Sequence, residues 1–120
     1  MSEGRRVLLV VPDLFFVARI ETAAAHLGVE VGHAEAARLV QACRERRPDL
    51  VIVDLHGEAG VLNSVRQLKH DPALANLPVV GFYSHVDDAT RRAALEAGID
   101  EAMPRSAFTA RLASLLQRGG

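Results

Sequence analysis

The chain has 120 residues, of which 49% are hydrophobic and 24% are charged, the proportions of an ordinary globular protein. This length suffices for one domain with a single core and is too short for two. The 14 basic and 15 acidic side chains leave a net charge of −1, which gives no electrostatic basis for binding nucleic acid or a membrane surface.

The opening residues and the cysteine usage bear on the cellular compartment. The segment MSEGRR is charged and leads directly into a predicted strand, unlike a secretory signal. Cys43 is the only cysteine and has no partner for an internal disulfide, which fits a reducing compartment. Because the apolar runs are also too short to cross a bilayer, we expect a cytoplasmic protein.

Segments typical of strands and helices alternate along the chain. In chain order the pattern predicts strand 6–11, helix 14–27, strand 29–31, helix 34–46, strand 50–54, helix 60–70, strand 77–82, helix 87–98, strand 99–103 and helix 106–118. The strands 6–11 and 50–54 are continuous apolar runs, as expected when both faces of a strand are covered. Gly28 favours a helix end, and Ser106 is a suitable N-cap for the last helix.

Five βα units with short connections predict an α/β fold, a doubly wound five-stranded parallel sheet with helices on both faces. The sequence has no linker or internal repeat beyond this alternation, so we expect one domain over residues 1–120 with a core over about 6–117.

In an open parallel sheet, ligands bind outside the carboxyl ends of the strands. We call this edge of the sheet the rim. The residues that follow the predicted strands are Pro12, Asp13, Asp54, His56, Tyr83, Ser84, His85, Pro104 and Arg105. Two carboxylates, two imidazoles, a hydroxyl and a guanidinium are therefore expected to gather at the rim.

Four stretches, taken together, resemble the receiver domains of bacterial two-component signalling over residues 6–117. They are VLLVVPD, RRPDLVIVD, VLNSVRQLKHDPALANLPVV and ALEAGIDEAMPRSAF. Receiver domains have the five-unit fold that the pattern predicts independently. The resemblance implies a signalling module without enzymatic output of its own. It also implies that the protein is a monomer or a weak homodimer. It also implies a signalling protein as partner, such as a histidine kinase.

The resemblance assigns roles to three residues at the rim. Asp54 aligns with the aspartate that accepts a phosphoryl group from a histidine kinase. Asp13 aligns with the second of two acidic residues that hold Mg²⁺, and His56 with a position that supplies only its backbone carbonyl to that ion. The implied metal ligands are therefore Asp13, Asp54 and His56, which suits a hard cation that prefers oxygen.

The rim also departs from the family pattern. Pro12 stands at the first acidic position, so one carboxylate is missing and Mg²⁺ binding is expected to be weakened. The family's lysine is replaced by Arg105, whose planar fork bonds differently from an ammonium. The switch hydroxyl position falls on Tyr83, with Ser84 one residue late. Further departures are Ala102 at the switch aromatic, Ser106 in place of a proline, and a shortened loop after Asp54.

Three functional interpretations follow. We favour a receiver-like module that acts through protein–protein contact, with an atypical phospho-acceptor site. The alternative is a phosphorylation-competent single-domain response regulator that uses Asp54, with Ser84, Tyr83 and Arg105 as phosphoryl or switch contacts. A metal-dependent enzyme that uses both carboxylates with His56 and His85 has no nucleophile–base pair of recognised spacing to support it.

Four of the five phenylalanine and tyrosine residues lie close to the rim. They are Phe15, Phe16, Phe82 and Tyr83. Two explanations remain open at this stage: these side chains fill the volume left by a reduced metal pocket, or they form an exposed apolar patch for a protein partner.

Overall fold

A computed structural model of the chain describes residues 4–84 and 88–117. The elements are β1 Arg6–Val10, α1 Leu14–Leu27, β2 Glu30–His33, a 3₁₀ turn Ala36–Arg38, α2 Leu39–Arg46, β3 Leu50–Asp54, α3 Val61–His70, β4 Val79–Tyr83, α4 Asp88–Ala97, β5 Glu101–Pro104 and α5 Arg105–Gln117. In this part of the chain no helix is both long enough and apolar enough to span a membrane.

The five strands form one parallel sheet in the order β2-β1-β3-β4-β5. Side chains from α1 and α5 pack on one face of the sheet, and side chains from α2, α3 and α4 pack on the other. The central strands are covered on both sides because alternate residues of β1, such as Leu8 and Leu9, enter opposite clusters. The predicted doubly wound α/β fold is therefore confirmed.

Most differences from the predicted bounds lie at element ends. Helix α1 ends at Leu27 and is followed by Gly28, whose φ of 70° places it in the left-handed region expected of a C-terminal cap. The segment predicted as the start of α2 forms a 3₁₀ turn instead. The prediction of Ser106 as an N-cap is wrong, since β5 ends at Pro104 and α5 begins at the next residue, Arg105. This direct connection fixes where the Arg105 side chain starts.

Three phenylalanines pack together beneath the rim. Phe16 of α1, Phe82 of β4 and Phe108 of α5 have ring centroids 4.8 to 5.7 Å apart and tilted planes. Phe82 and Phe108 are fully buried, and Phe16 is 6% exposed. Such tilted contacts add to the stabilisation from burial alone, so this cluster joins both helices to the sheet at its carboxyl end.

An exposed patch made of all four rim aromatics is therefore a wrong prediction. Phe16, Phe82 and Tyr83 are buried, and only Phe15 is exposed, at 91%. The reason is that neighbouring helical residues point in different directions, so Phe16 enters the core while Phe15 faces solvent. The strand residues Phe82 and Tyr83 face opposite sides of the sheet and each side is covered.

We expect Phe108→Ala to lower the free energy of unfolding by about 3–5 kcal/mol, because it leaves a cavity in the aromatic cluster. Phe15→Ala is the matched control and should change it by no more than about 0.5 kcal/mol. Urea denaturation followed by circular dichroism measures both values. Equal losses in the two variants would contradict the burial described for these rings.

Candidate functional site

Asp54 ends β3 at the rim and is held in place by the backbone that follows it. The residue is only 6% exposed. Its Oδ1 accepts a hydrogen bond from the backbone N–H of His56 at 2.9 Å, and its carbonyl accepts one from the N–H of Gly57 at 3.1 Å. Aspartate favours this local turn. The turn fixes the orientation of the carboxylate and engages its Oδ1 in a hydrogen bond.

Asp13 lies beyond the end of the neighbouring strand β1 and caps α1. Its Oδ1 accepts hydrogen bonds from the backbone N–H groups of Phe15 at 3.0 Å and Phe16 at 3.2 Å. The N–H of Phe16 above all, together with the Arg105 guanidinium, holds the pKa of Asp13 below its ordinary value. The carboxylate is therefore ionised at neutral pH and has one oxygen committed to the helix.

Arg105 reaches the rim from the first position of α5 and faces both carboxylates. Its Nη1 donates to Asp13 Oδ2 at 3.4 Å, and its Nη2 lies 3.9 Å from Asp54 Oδ2. The guanidinium carbon lies 4.5 Å from the centroid of the Phe16 ring, within the range of a cation–π contact. The guanidinium is therefore within ion-pair distance of both Asp13 and Asp54.

Pro12 contacts the loop that follows Asp54. A Cβ atom at residue 57 would lie 2.6 Å from Pro12 Cδ and 3.1 Å from Asp54 Cβ, closer than side chains tolerate. Glycine at position 57 therefore allows the shortened loop to close against the proline ring. Pro12 itself is exposed, and it stands where the receiver pattern predicts a carboxylate.

His56 does not point its imidazole at the two carboxylates. The side chain is exposed, and its Nε2 lies 3.3 Å from Thr90 Oγ1 of α4. Among residues 4–84 and 88–117, no group of three or more histidine, cysteine, aspartate or glutamate side chains could hold a metal ion. His56 was expected to offer only its carbonyl, so the Mg²⁺ site at Asp13, Asp54 and His56 stays a prediction. His85 lies outside the described residues.

The switch candidates occupy different environments. Tyr83 is 5% exposed and packs in the core on the α2–α4 side of the sheet, while Ala102 is partly buried against the same cluster. The large ring therefore lies on β4, and the small Ala102 side chain lies on β5, at the position where the resemblance predicts an aromatic residue. Ser84 is exposed at the end of β4, and its role as a phosphoryl contact stays a prediction.

Two features of the rim were not predicted. Leu14 is 78% exposed and stands beside Phe15 in the first turn of α1, so two adjacent large apolar side chains face solvent next to the carboxylates. The contact between Pro12 and Gly57 was also missed, although the glycine in a shortened loop was a signal for close packing.

Solved structures resemble the chain over nearly its whole length, whereas neither a protein-family model nor a curated protein matches its sequence. The receiver domain of a sensor histidine kinase from Pseudomonas aeruginosa PAO1, with a magnesium ion coordinated in its active-site cleft, is 21% identical. Its TM-score is 0.82, and 98% of each chain is covered. The chemotaxis response regulator CheY4 of Vibrio cholerae is 16% identical, with a TM-score of 0.81 and coverage of 97% of this chain and 98% of that one.

A third similar structure is the phosphorylated cyanobacterial phytochrome response regulator RcpA. It is 20% identical, with a TM-score of 0.78, and the match covers 96% of this chain and 90% of that chain. These likenesses confirm that the chain has the fold of response-regulator receiver domains, as the sequence resemblance implies.

The lowered pKa of Asp13 predicts how stability depends on pH. Because its folded-state pKa lies below the ordinary value of 3.8, its contribution is present above that value and is lost as the pH falls through the folded-state pKa. We expect wild-type unfolding free energy to fall more steeply below about pH 4 than that of Asp13→Asn, in which asparagine keeps the capping oxygen. Parallel acid dependences in urea titrations would contradict the ionised contacts of Asp13.

Proposed function

We propose that the chain is a receiver-like signal-transduction module that acts through protein–protein contact, and that Asp54 is an atypical, weak phospho-acceptor. The fold supports the signalling class, since the solved receiver domains match along almost the whole chain. Receivers transmit signals by presenting a surface to another protein, so the module needs no enzymatic activity of its own.

The observation that carries this proposal is the packing of Pro12 against Gly57. In-line phosphoryl transfer to a carboxylate relies on a divalent cation to neutralise the developing charge. Pro12 offers no side-chain oxygen at the position where the receiver pattern predicts a metal ligand, and its ring lies against the loop that follows Asp54. Mg²⁺ would therefore bind weakly beside Asp54, and phosphorylation would be slow.

Leu14 and Phe15 are the proposed contact surface for a signalling protein. Both side chains are largely exposed, and burying them in an interface would be favourable by roughly 1.5–3 kcal/mol each. They stand in the first turn of α1 directly after Asp13, so a partner seated on them would also cover the rim. Binding of the partner would then depend on the arrangement of the charged groups at the rim.

A phosphorylation-competent response regulator is the second candidate, and one observation favours it. Asp54 stands at the carboxyl end of the central strand β3 with Arg105 close by. This is the arrangement of an acceptor carboxylate and a cation that can contact a phosphoryl oxygen. A domain of this type would respond to a phosphoryl group in spite of Pro12.

A titration with Mg²⁺ and then beryllofluoride, a phosphoryl mimic, separates the two candidates. The proposed function predicts that amide chemical shifts of Asp13, Asp54 and Ser84 remain flat, because the metal that must hold the mimic binds weakly. Asp54→Asn is the control for non-specific salt effects. Saturable shifts in the wild type that vanish in the control would overturn the proposal and establish the second candidate.

A further inference from the structure

The positive charge at the rim comes from the chain itself. We propose that the Arg105 guanidinium is the built-in cation of the rim, holding Asp13 and Asp54 together in the place where a divalent ion would otherwise be needed. This inference deepens the proposed function, on which it rests, by naming the group that makes the rim independent of metal.

In both Asp13 and Asp54, the two carboxylate oxygens have different partners. One oxygen, Oδ1, accepts backbone N–H groups, from His56 at Asp54 and from Phe15 and Phe16 at Asp13. The other oxygen, Oδ2, faces one terminal nitrogen of the Arg105 fork. Three of the four oxygens therefore accept a hydrogen bond, and the fourth, Asp54 Oδ2, is in ion-pair contact with Nη2 at 3.9 Å. A metal ion that bound both Oδ2 atoms would have to displace the guanidinium from them.

Burial makes this arrangement energetically significant. Only 8% of the Asp54 side chain is exposed, and a buried carboxylate without a counter-charge is strongly disfavoured. Two neighbouring carboxylates also repel each other, which a single guanidinium between them offsets. A divalent ion would have to approach past this positive charge.

The aromatic cluster keeps the guanidinium in place. Its central carbon lies 4.5 Å from the Phe16 ring centroid and 5.4 Å from that of Phe82. Arginine stacks on aromatic rings and its planar fork reaches two acceptors at once, whereas lysine offers a compact charge. The connection of β5 to α5 without a loop further limits the positions that Arg105 can adopt.

Mg²⁺ fits this rim poorly. The ion requires nearly octahedral oxygen ligation, and the two side-chain ligands that the rim offers are already engaged with Arg105. At the third side-chain position that the receiver pattern predicts, Pro12 offers no oxygen ligand. Removing the guanidinium should therefore do two things at once: destabilise the domain and create a cation site from the two Oδ2 atoms.

The test compares Mn²⁺, a paramagnetic substitute for Mg²⁺, in the wild type, Arg105→Gln and Arg105→Lys. We expect millimolar Mn²⁺ to leave the wild-type thermal midpoint and the amide signals near Asp13 and Asp54 unchanged. Arg105→Gln should melt roughly 3–6 °C lower, regain part of that loss with Mn²⁺, and show broadening at both aspartates. Arg105→Lys should give an intermediate response to Mn²⁺. It replaces Arg105→Gln in the test if the glutamine variant does not fold.

Arg111→Gln is the matched control. It removes another arginine of α5, one paired with Glu101 at 3.2 Å, and should show no metal response. Selective broadening around Asp13 and Asp54 in the wild type, absent in Asp54→Asn, would overturn the inference. So would the absence of a metal response in both Arg105 variants.

The two proposals can fail separately. A wild type that binds Mn²⁺ but ignores beryllofluoride would overturn the built-in cation and leave the contact function standing. A wild type that responds to beryllofluoride would instead overturn the proposed function.

Discussion

The guanidinium of Arg105 between Asp13 and Asp54 is the interaction on which the organisation of the rim depends. Three elements meet through it, because Asp13 follows β1, Asp54 ends β3 and Arg105 begins α5. The distances of 3.4 and 3.9 Å to the two carboxylates are long for individual ion pairs. The guanidinium is also held by its contact with the Phe16 ring beneath it, and of the three charged groups only Asp54 is buried.

The sheet brings these groups together because parallel strands end at the same edge. β1 and β3 are neighbours in the strand order, so Asp13, in the segment after β1, and Asp54, the last residue of β3, reach the same part of the rim. The aromatic cluster under the rim then serves two purposes, since it packs α1 and α5 onto the sheet and gives the guanidinium a face to stack on. Phe16 therefore contributes both to the packing of α1 on the sheet and to the position of the Arg105 charge.

The sequence was sufficient to predict the fold and which residues lie at the rim. Apolar runs and Gly28 located most elements, and the rule for parallel strands placed Asp13, Asp54 and Arg105 together. The burial of Phe16 could have been predicted, since it shares a helical stripe with Ile20. The sharing of Arg105 by two carboxylates could not, because it depends on side-chain reach across elements far apart in sequence.

Crystals grown in millimolar Mn²⁺, measured for anomalous scattering, would test the guanidinium bridge most directly. The bridge predicts electron density for the Arg105 guanidinium between the two carboxylates, with no anomalous peak beside them. An anomalous peak bonded to Asp13 and Asp54, with the arginine side chain displaced, would contradict it. Mn²⁺ suits the experiment because it accepts the same oxygen ligands as Mg²⁺.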